Sequence, residues 1–285
     1  MNKKKPLSRV ARRKKLRRKR YLLIGSFCVS VLVFSFSIFF LWNWFQDNQK
    51  IDKLSKETVN TVDKKEKKDN KKTELVNPPE ENKKDDYWDY IKMNLLEVNF
   101  NDLLNKNPDT VGWIEVKGTN INYPIVQTTN NEYYLNHAFD KTKNDAGWVF
   151  MDYRNDAKNF DQNTIIYAHS RYNKTMFGSL KNILSSSWYN NKNNHIIRMS
   201  TPTENTMWQV FSVYTIAAES YYITPNFSDV NSYQTFLNTL KSRSEVQFSA
   251  SLNTNDKILT LSTCQDNFGH RVVMHAKLIK RETRT

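Results

Sequence analysis

Cysteine is scarce in this sequence, so the possible cysteine chemistry depends on the positions of only two residues. The chain of 285 residues contains only Cys28 and Cys264. Its five histidines are scattered and do not have the spacing of metal ligands, so we predict no metal site. Internal repeats are also missing from the sequence, which makes a repeat architecture a poor description of the chain.

Acidic residues are missing from the first twenty positions. Residues 1–20 contain twelve lysines and arginines, whereas the rest of the chain carries 31 basic and 29 acidic residues. The net charge of +14 is therefore a property of this basic tail. It says little about the partners of the folded part, and we predict no nucleic-acid partner.

Charge of either sign is missing from residues 21–45. As a helix, this run would be roughly 37 Å long, enough to cross a hydrocarbon core of about 30 Å. The alternative is a cleaved signal peptide, but its apolar region would be shorter and would end at small residues, whereas this run ends in Leu-Trp-Asn-Trp-Phe. We predict an uncleaved single-pass anchor in the cell membrane. The basic flank keeps residues 1–20 cytoplasmic and places everything after residue 45 outside.

The position of Cys28 within this apolar run leaves Cys264 without a partner in the same chain. A single cysteine in an extracellular domain forms an intermolecular bond, is buried and inert, or is reactive. The surroundings of Cys264 in the sequence therefore decide its role.

Residues 46–86 are rich in Lys, Asp, Asn and Glu and have few apolar side chains. Such a segment buries too little apolar surface to offset the entropy cost of ordering, so we predict a flexible charged linker. The alternative is a short helix, because Ile51, Leu54, Val59 and Val62 fall loosely on one helical face.

Residues 87–285 have the composition of a folded domain. Apolar spacing over the first twenty or so residues predicts one or two helices, and the period then changes to two. Further helices are predicted at residues 176–184 and 228–244, the latter between the sixth and seventh strands. Eight short strands indicate a mostly β domain, either a closed barrel or a sandwich. They are VGWIEV, INYPIV, GWVFM, NTIIYA, HIIRM, MWQVFSVYTIAA, KILTLS and RVVMHAKLI.

Cys264 follows the predicted strand KILTLS almost directly. A nucleophilic thiol needs a partner that takes its proton or stabilises the thiolate. His169 ends the strand NTIIYA in the same way and is our first candidate, and His275 is the second. Arg271 opens the last strand, where antiparallel pairing would place it beside Cys264 and let it stabilise a developing oxyanion.

At these residues the sequence resembles the class B sortases, which are membrane-anchored cysteine transpeptidases of Gram-positive cell walls. The resemblance covers about residues 87–280. The stretches that carry it are VGWIEVKGTNINYPIVQ, NNEYYLNHAF, GWVFMDYRN, NTIIYAHS, MFGSLKNIL and TLSTC with its downstream arginine.

The resemblance implies an eight-stranded sortase-type β-barrel with N-terminal helices and a helix between strands 6 and 7. It implies that Cys264 is the nucleophile, His169 the acid/base partner and Arg271 the oxyanion or substrate donor. It also implies a groove for the sorting signal, in which Tyr221 is an alternative to Tyr222. The implied groove residues are Asn131, Leu135, Tyr167, Tyr222, Ile223, Ser262 and Gln265.

The implied reaction cleaves a C-terminal signal similar to Asn-Pro-X-Thr-Asn/Gly after Thr and joins the surface protein that carries it to an amine of the peptidoglycan precursor. No cofactor is expected, because a thioester conserves the reactivity of the peptide bond. Three alternatives share the same residues: a hydrolytic cysteine protease or amidase, a pilus-type polymerising sortase, and a non-catalytic wall-binding module with a buried Cys264.

Overall fold

The computed structural model describes residues 9–80, 84–217, 219–263 and 269–284. The chain divides into two compact units, with the boundary after Lys50. The predicted Cys264 and Gln265 lie outside the described residues.

A single helix, α1 (Arg9–Thr61), contains the whole charge-free run of residues 21–45. It is the one helix in the described ranges that is long and apolar enough to cross a membrane, with a mean hydropathy of 2.4 over its most apolar window. Large apolar side chains of the run are exposed, which is the arrangement that a hydrocarbon environment favours. The structure therefore provides a candidate membrane span where the sequence predicts one.

The second unit is built mainly from short strands and a few helices. The strands in the described ranges are β1 (Lys64–Lys67), β2 (Thr73–Leu75), β3 (Leu95–Val98), β4 (Thr110–Val116), β5 (Asn122–Val126), β6 (Phe150–Met151), β7 (Asn163–Ala168), β8 (Ile196–Ser200), β9 (Glu204–Ala217), β10 (Ile258–Thr263) and β11 (His270–Thr283). The α-helices are α2 (Tyr87–Tyr90), α3 (Asn101–Lys106), α4 (Ser186–Tyr189) and α5 (Val230–Ser242), and short 3-10 helices are formed by Tyr133–Leu135, Gly178–Leu184, Lys192–Asn194 and Tyr221–Ile223.

Eight of these strands close into a barrel, as the resemblance implied. The order is β10-β7-β6-β5-β4-β8-β9-β11, and β10 pairs again with β11 to complete the circle. The β5–β6 and β7–β10 pairs are parallel, and the other pairs of the barrel are antiparallel. All residues of β7 and β10 are buried, because the barrel interior covers one face and packed segments cover the other.

The eight predicted strands correspond in order to these eight barrel strands. The third is shorter than predicted and the sixth and eighth are longer. The helix predicted between strands 6 and 7 is α5. The side chain of Asp229 accepts a hydrogen bond from the backbone of Ser232 and caps its first turn. Its buried face follows the helical period: Tyr233, Phe236, Leu237 and Leu240.

The helical prediction for the start of the domain is only partly matched. Two short helices, α2 and α3, lie there, but β3 separates them. Leu95–Val98 pairs with Lys64–Lys67, and this tertiary pairing overrides the helical spacing of the apolar residues.

The segment predicted as a flexible linker differs most from expectation. Ile51 in α1 and Val62 just after its end are buried, as the alternative of a short helix requires, and β2 pairs with the end of β11. Composition predicts that the lysines of this segment are solvated, but Lys67 forms ion pairs with Glu97 and Glu282. Composition measures how much charge a segment has, whereas only the fold decides whether that charge is paired.

Candidate active site

A cavity of about 400 Å³ opens where β7 and β10 end. Its lining combines apolar side chains with one histidine and one arginine. The lining residues are Asn131, Leu135, Phe150, Tyr167, His169, Ile223, Thr263 and Arg271.

The parallel pairing of β7 with β10 brings the two strand ends to the same level. Thr263, the last residue of β10, is opposite Ala168, the last residue of β7. His169 follows Ala168 directly, and Cys264 follows Thr263 in the sequence. The neighbouring strand β11 is tied to the same level, because the backbone N–H of Val272 donates to the Thr263 hydroxyl at 2.9 Å.

His169 is half-buried at the edge of the cavity. Its Nε2 lies 2.7 Å from the backbone carbonyl oxygen of Leu135. A carbonyl only accepts hydrogen bonds, so Nε2 carries a proton in this arrangement. The other ring nitrogen, Nδ1, has no hydrogen-bond partner among the described residues.

Arg271 is held from behind by a buried tyrosine. Its Nη1 donates to the hydroxyl of Tyr222 at 3.1 Å, and that hydroxyl lies 3.0 Å from Ser262 Oγ. Tyr222 and Ser262 are both 0% exposed. The Nε atom of Arg271 is buried without a partner among the described residues, which leaves donor capacity for another group at the cavity.

The structure brings six of the predicted site residues to one cavity. His169 and Arg271 line it, together with four of the seven predicted groove residues: Asn131, Leu135, Tyr167 and Ile223. Tyr222 and Ser262 lie behind Arg271 and do not line the cavity. Tyr222 instead supports the guanidinium directly, and Ser262 is hydrogen-bonded to Tyr222.

The other histidines do not line this cavity. His275 is fully buried; its Nδ1 lies 2.8 Å from the Thr260 hydroxyl and its Nε2 lies 2.9 Å from the Tyr214 hydroxyl. Burial lowers its pKa to about 3, so the ring is neutral at physiological pH. Burial also lowers the pKa of His195. Across the described parts of the chain, no three metal-ligating side chains form a cluster.

Sequence reasoning missed several residues at or behind the cavity. Phe150 and Thr263 line it, and Asp152 lies buried behind it in an ion pair with Arg154 at 2.7 Å. Asp152 and Arg154 stand two residues apart, just after a strand. A carboxylate in that position often accepts the backbone N–H two residues on, as Asp152 does here at 3.0 Å, and this is the signal that could have been used.

Comparison with known proteins gives the same family as the motifs. The sortase domain family matches residues 114–279. Sortase B of Staphylococcus aureus is 38% identical over 184 residues, which cover 64% of this chain and 75% of that protein. A crystal structure of sortase B complexed with triglycine has a TM-score of 0.60 and 38% identity, and the match covers 64% of this chain and 85% of the other. Sortase B from B. anthracis in complex with AAEK1 has a TM-score of 0.65 and 32% identity, covering 83% of this chain and 99% of the other.

These matches cover the barrel strands that position His169 and Arg271. They confirm the resemblance that the sequence motifs indicated and the eight-stranded barrel that it implied. The chain therefore belongs to the sortase family, on its class B branch, and is a cysteine transpeptidase.

Proposed function

We propose that this transpeptidase cleaves a C-terminal sorting signal similar to Asn-Pro-X-Thr-Asn/Gly and joins the Thr carbonyl to a peptidoglycan amine. The observation that carries the proposal is the cavity in which His169, Arg271 and Thr263 meet at the ends of three neighbouring strands. Cys264 is one peptide bond from Thr263, so the sequence connects the only cysteine beyond residue 28 to this cavity.

The steps follow from the groups present. His169 takes the proton of the Cys264 thiol, the sulfur attacks the Thr carbonyl carbon, and the oxyanion that forms accepts hydrogen bonds from Arg271. When the C–N bond breaks, the leaving amine takes a proton from His169, and a thioester remains. The amine of the acceptor then attacks the thioester carbonyl, His169 takes its proton, and the thiolate leaves as the new amide forms.

The cavity suits an extended peptide with a small number of polar contacts. Leu135, Phe150 and Ile223 give it an apolar lining, and Asn131 is the candidate partner for a polar first residue of the signal. The solved sortase B complex with triglycine supports an amine of a short peptide as the acceptor.

The proposed topology places residues 1–20 in the cytoplasm, the span at 21–45 in the membrane and the barrel outside. It is supported by the twelve cations that precede the apolar run and by the candidate span in α1. Protease added to intact protoplasts should remove the barrel and leave the basic tail. Protection of the barrel from protease would contradict this topology.

The activity is tested with the full-length chain in detergent, a panel of signal peptides and triglycine as the amine. We expect Asn-Pro-X-Thr and Ser-Pro-X-Thr peptides to be processed faster than Leu-Pro-X-Thr peptides, with the ligated peptide identified by mass. Hydrolysed product without ligation would favour a protease or amidase. Ligation only to a lysine of another protein would favour a pilus polymerase. Faster processing of the Leu-Pro-X-Thr peptides would contradict the proposed signal.

A further inference from the structure

Asp152 is a buried carboxylate that the proposed chemistry does not use. It follows β6 directly, and its side chain is 0% exposed. Arg154 donates to it twice, from Nε at 2.8 Å and from Nη2 at 2.7 Å. The same carboxylate accepts from Asn131 Nδ2 and from the Tyr167 hydroxyl, each at 3.0 Å.

The carboxylate of Asp152 is charged at neutral pH despite its burial. Burial alone would raise its pKa, but the hydrogen bonds and charge of Arg154 outweigh burial, so the pKa lies below its ordinary value. Burial raises the pKa of Tyr167, so the phenol keeps the proton that it donates to Asp152. Hydrogen bonds to an ionised acceptor are stronger than those between neutral groups.

The ion pair joins three walls of the cavity that are distant in sequence. Asn131 lies between β5 and β6, and Tyr167 lies in β7. The third wall is the segment after β9, because Arg154 Nη2 also donates to the backbone carbonyl of Ile223 at 2.9 Å. Asn131, Tyr167 and Ile223 all line the cavity, whereas Asp152 and Arg154 do not.

The same contacts fix the orientation of the Asn131 amide. Its Nδ2 donates to Asp152, and its Oδ1 accepts from the backbone N–H of Tyr153 at 3.0 Å. Rotation of the amide by half a turn would lose both bonds, because it would bring oxygen to the carboxylate and nitrogen to an N–H. One N–H and one lone pair of Asn131 therefore remain for another group, in a fixed orientation.

We propose that Asp152 and Arg154 form a positioning pair that holds the three walls together and orients Asn131, so that the pair sets the selectivity for the first residue of the signal. The proposal rests on the function proposed above. The two residues are not catalytic, because neither reaches the cavity.

Kinetics of the full-length protein in detergent test this role. For Asp152→Asn, we expect the KM for an Asn-Pro-X-Thr peptide to rise about tenfold, because charge-assisted hydrogen bonds to two cavity walls are weakened. We expect kcat to change less than about twofold, since His169 and Arg271 keep their contacts. The preference for Asn-Pro-X-Thr over Leu-Pro-X-Thr peptides should decrease. The KM and the preference of Arg154→Lys should lie between those of wild type and those of Arg154→Gln.

Glu115→Gln provides a matched control. Glu115 accepts two hydrogen bonds from Arg198 at 2.9 Å in a partly buried ion pair, and neither residue lines the cavity. This variant loses the same kind of charge, so we expect a lower Tm with unchanged KM and unchanged selectivity. A KM increase in Glu115→Gln equal to that of Asp152→Asn would reduce the effect to general loss of stability and overturn the proposal.

Hydrogen exchange of the substrate-free protein separates this inference from the proposed function. Asp152→Asn should speed exchange around residues 131–135 and 221–225, whereas Arg154→Gln should act mainly on residues 221–225. If Asp152→Asn does not fold, the two Arg154 variants decide by the same measurements. Unchanged KM, selectivity and exchange in folded variants would overturn the positioning role. A wild-type protein that processes no signal peptide would instead refute the proposed function, and the exchange data would still test the pair.

Discussion

Arg271 and His275 lie four residues apart in β11. The comparison shows how position within the barrel separates a reactive group from a structural one. Arg271, the second residue of the strand, lines the cavity, and its Nε has no partner among the described residues. His275, four residues later, is fully buried, and each of its ring nitrogens has a partner. Both side chains are suited to acid–base or oxyanion chemistry by type. What makes one available is unused hydrogen-bonding capacity at an open surface.

The largest loss of activity is expected from substitution of Cys264, the proposed nucleophile. Cys264→Ala should abolish thioester formation and ligation, because no other cysteine follows residue 28. Cys28→Ala is the matched control and should leave turnover unchanged, since that residue lies in the candidate membrane span. Ligation and intact-mass detection of the acyl-enzyme measure both. Normal ligation by Cys264→Ala would remove the nucleophile from the mechanism.

Arg271→Ala should have the next largest effect. Loss of an oxyanion donor costs about 10²–10³ in rate, so we expect kcat/KM for the signal peptide to fall by about that factor. Arg271→Lys should recover only part, because lysine is a point charge and cannot donate in two parallel directions. Arg281→Ala is a control in the same strand: its guanidinium pairs with Glu204 at 2.8 Å and does not line the cavity. Equal losses in both alanine variants would show that the strand, and not its cavity end, is what matters.

Tyr222→Phe sharpens the comparison by removing only the hydroxyl behind Arg271. The change should lower kcat/KM about tenfold, because the guanidinium loses a hydrogen bond of the kind worth roughly 1.5 kcal/mol or more. Tyr233→Phe removes a hydroxyl that bonds the backbone carbonyl of Gln162, away from the cavity. It should lower Tm without changing turnover. A Tyr222→Phe enzyme with wild-type kinetics would mean that Arg271 needs no support from behind.

The smallest effect on turnover, and a distinct effect on stability, is expected at His275. Its native pKa is about 3, whereas the unfolded chain titrates near 6.5, so between these values the unfolded state binds more protons. Stability therefore falls as the pH falls through 6.5, by about 2 kcal/mol between pH 7 and pH 5. His275→Gln should lose less stability over that interval than wild type, with little change in turnover at pH 7. Denaturant unfolding at both pH values measures the difference, and parallel losses in the two proteins would contradict it.

The same contrast explains which parts of the sequence interpretation succeeded. The eight barrel strands and α5 follow from period and capping, which are local properties of the chain. The linker prediction for residues 46–86 failed to anticipate β1 and β2, because ion pairs such as Lys67–Glu282 join residues far apart in sequence. The break between α2 and α3 has the same cause, a strand pairing that local spacing does not reveal.

By itself, the sequence determined the apolar run, the barrel strands and the identity of His169 and Arg271 as candidates, since each depends on residue type and near neighbours. Only the tertiary structure decided which groove residues face the cavity and which support it from behind. Tyr222 and Ser262 resemble binding residues in the sequence but are fully buried. The sequence interpretation did not include Asp152, which nevertheless contacts two cavity walls. The physical reason is that exposure and hydrogen-bond saturation are set by segments from β5 to β11 closing on one another.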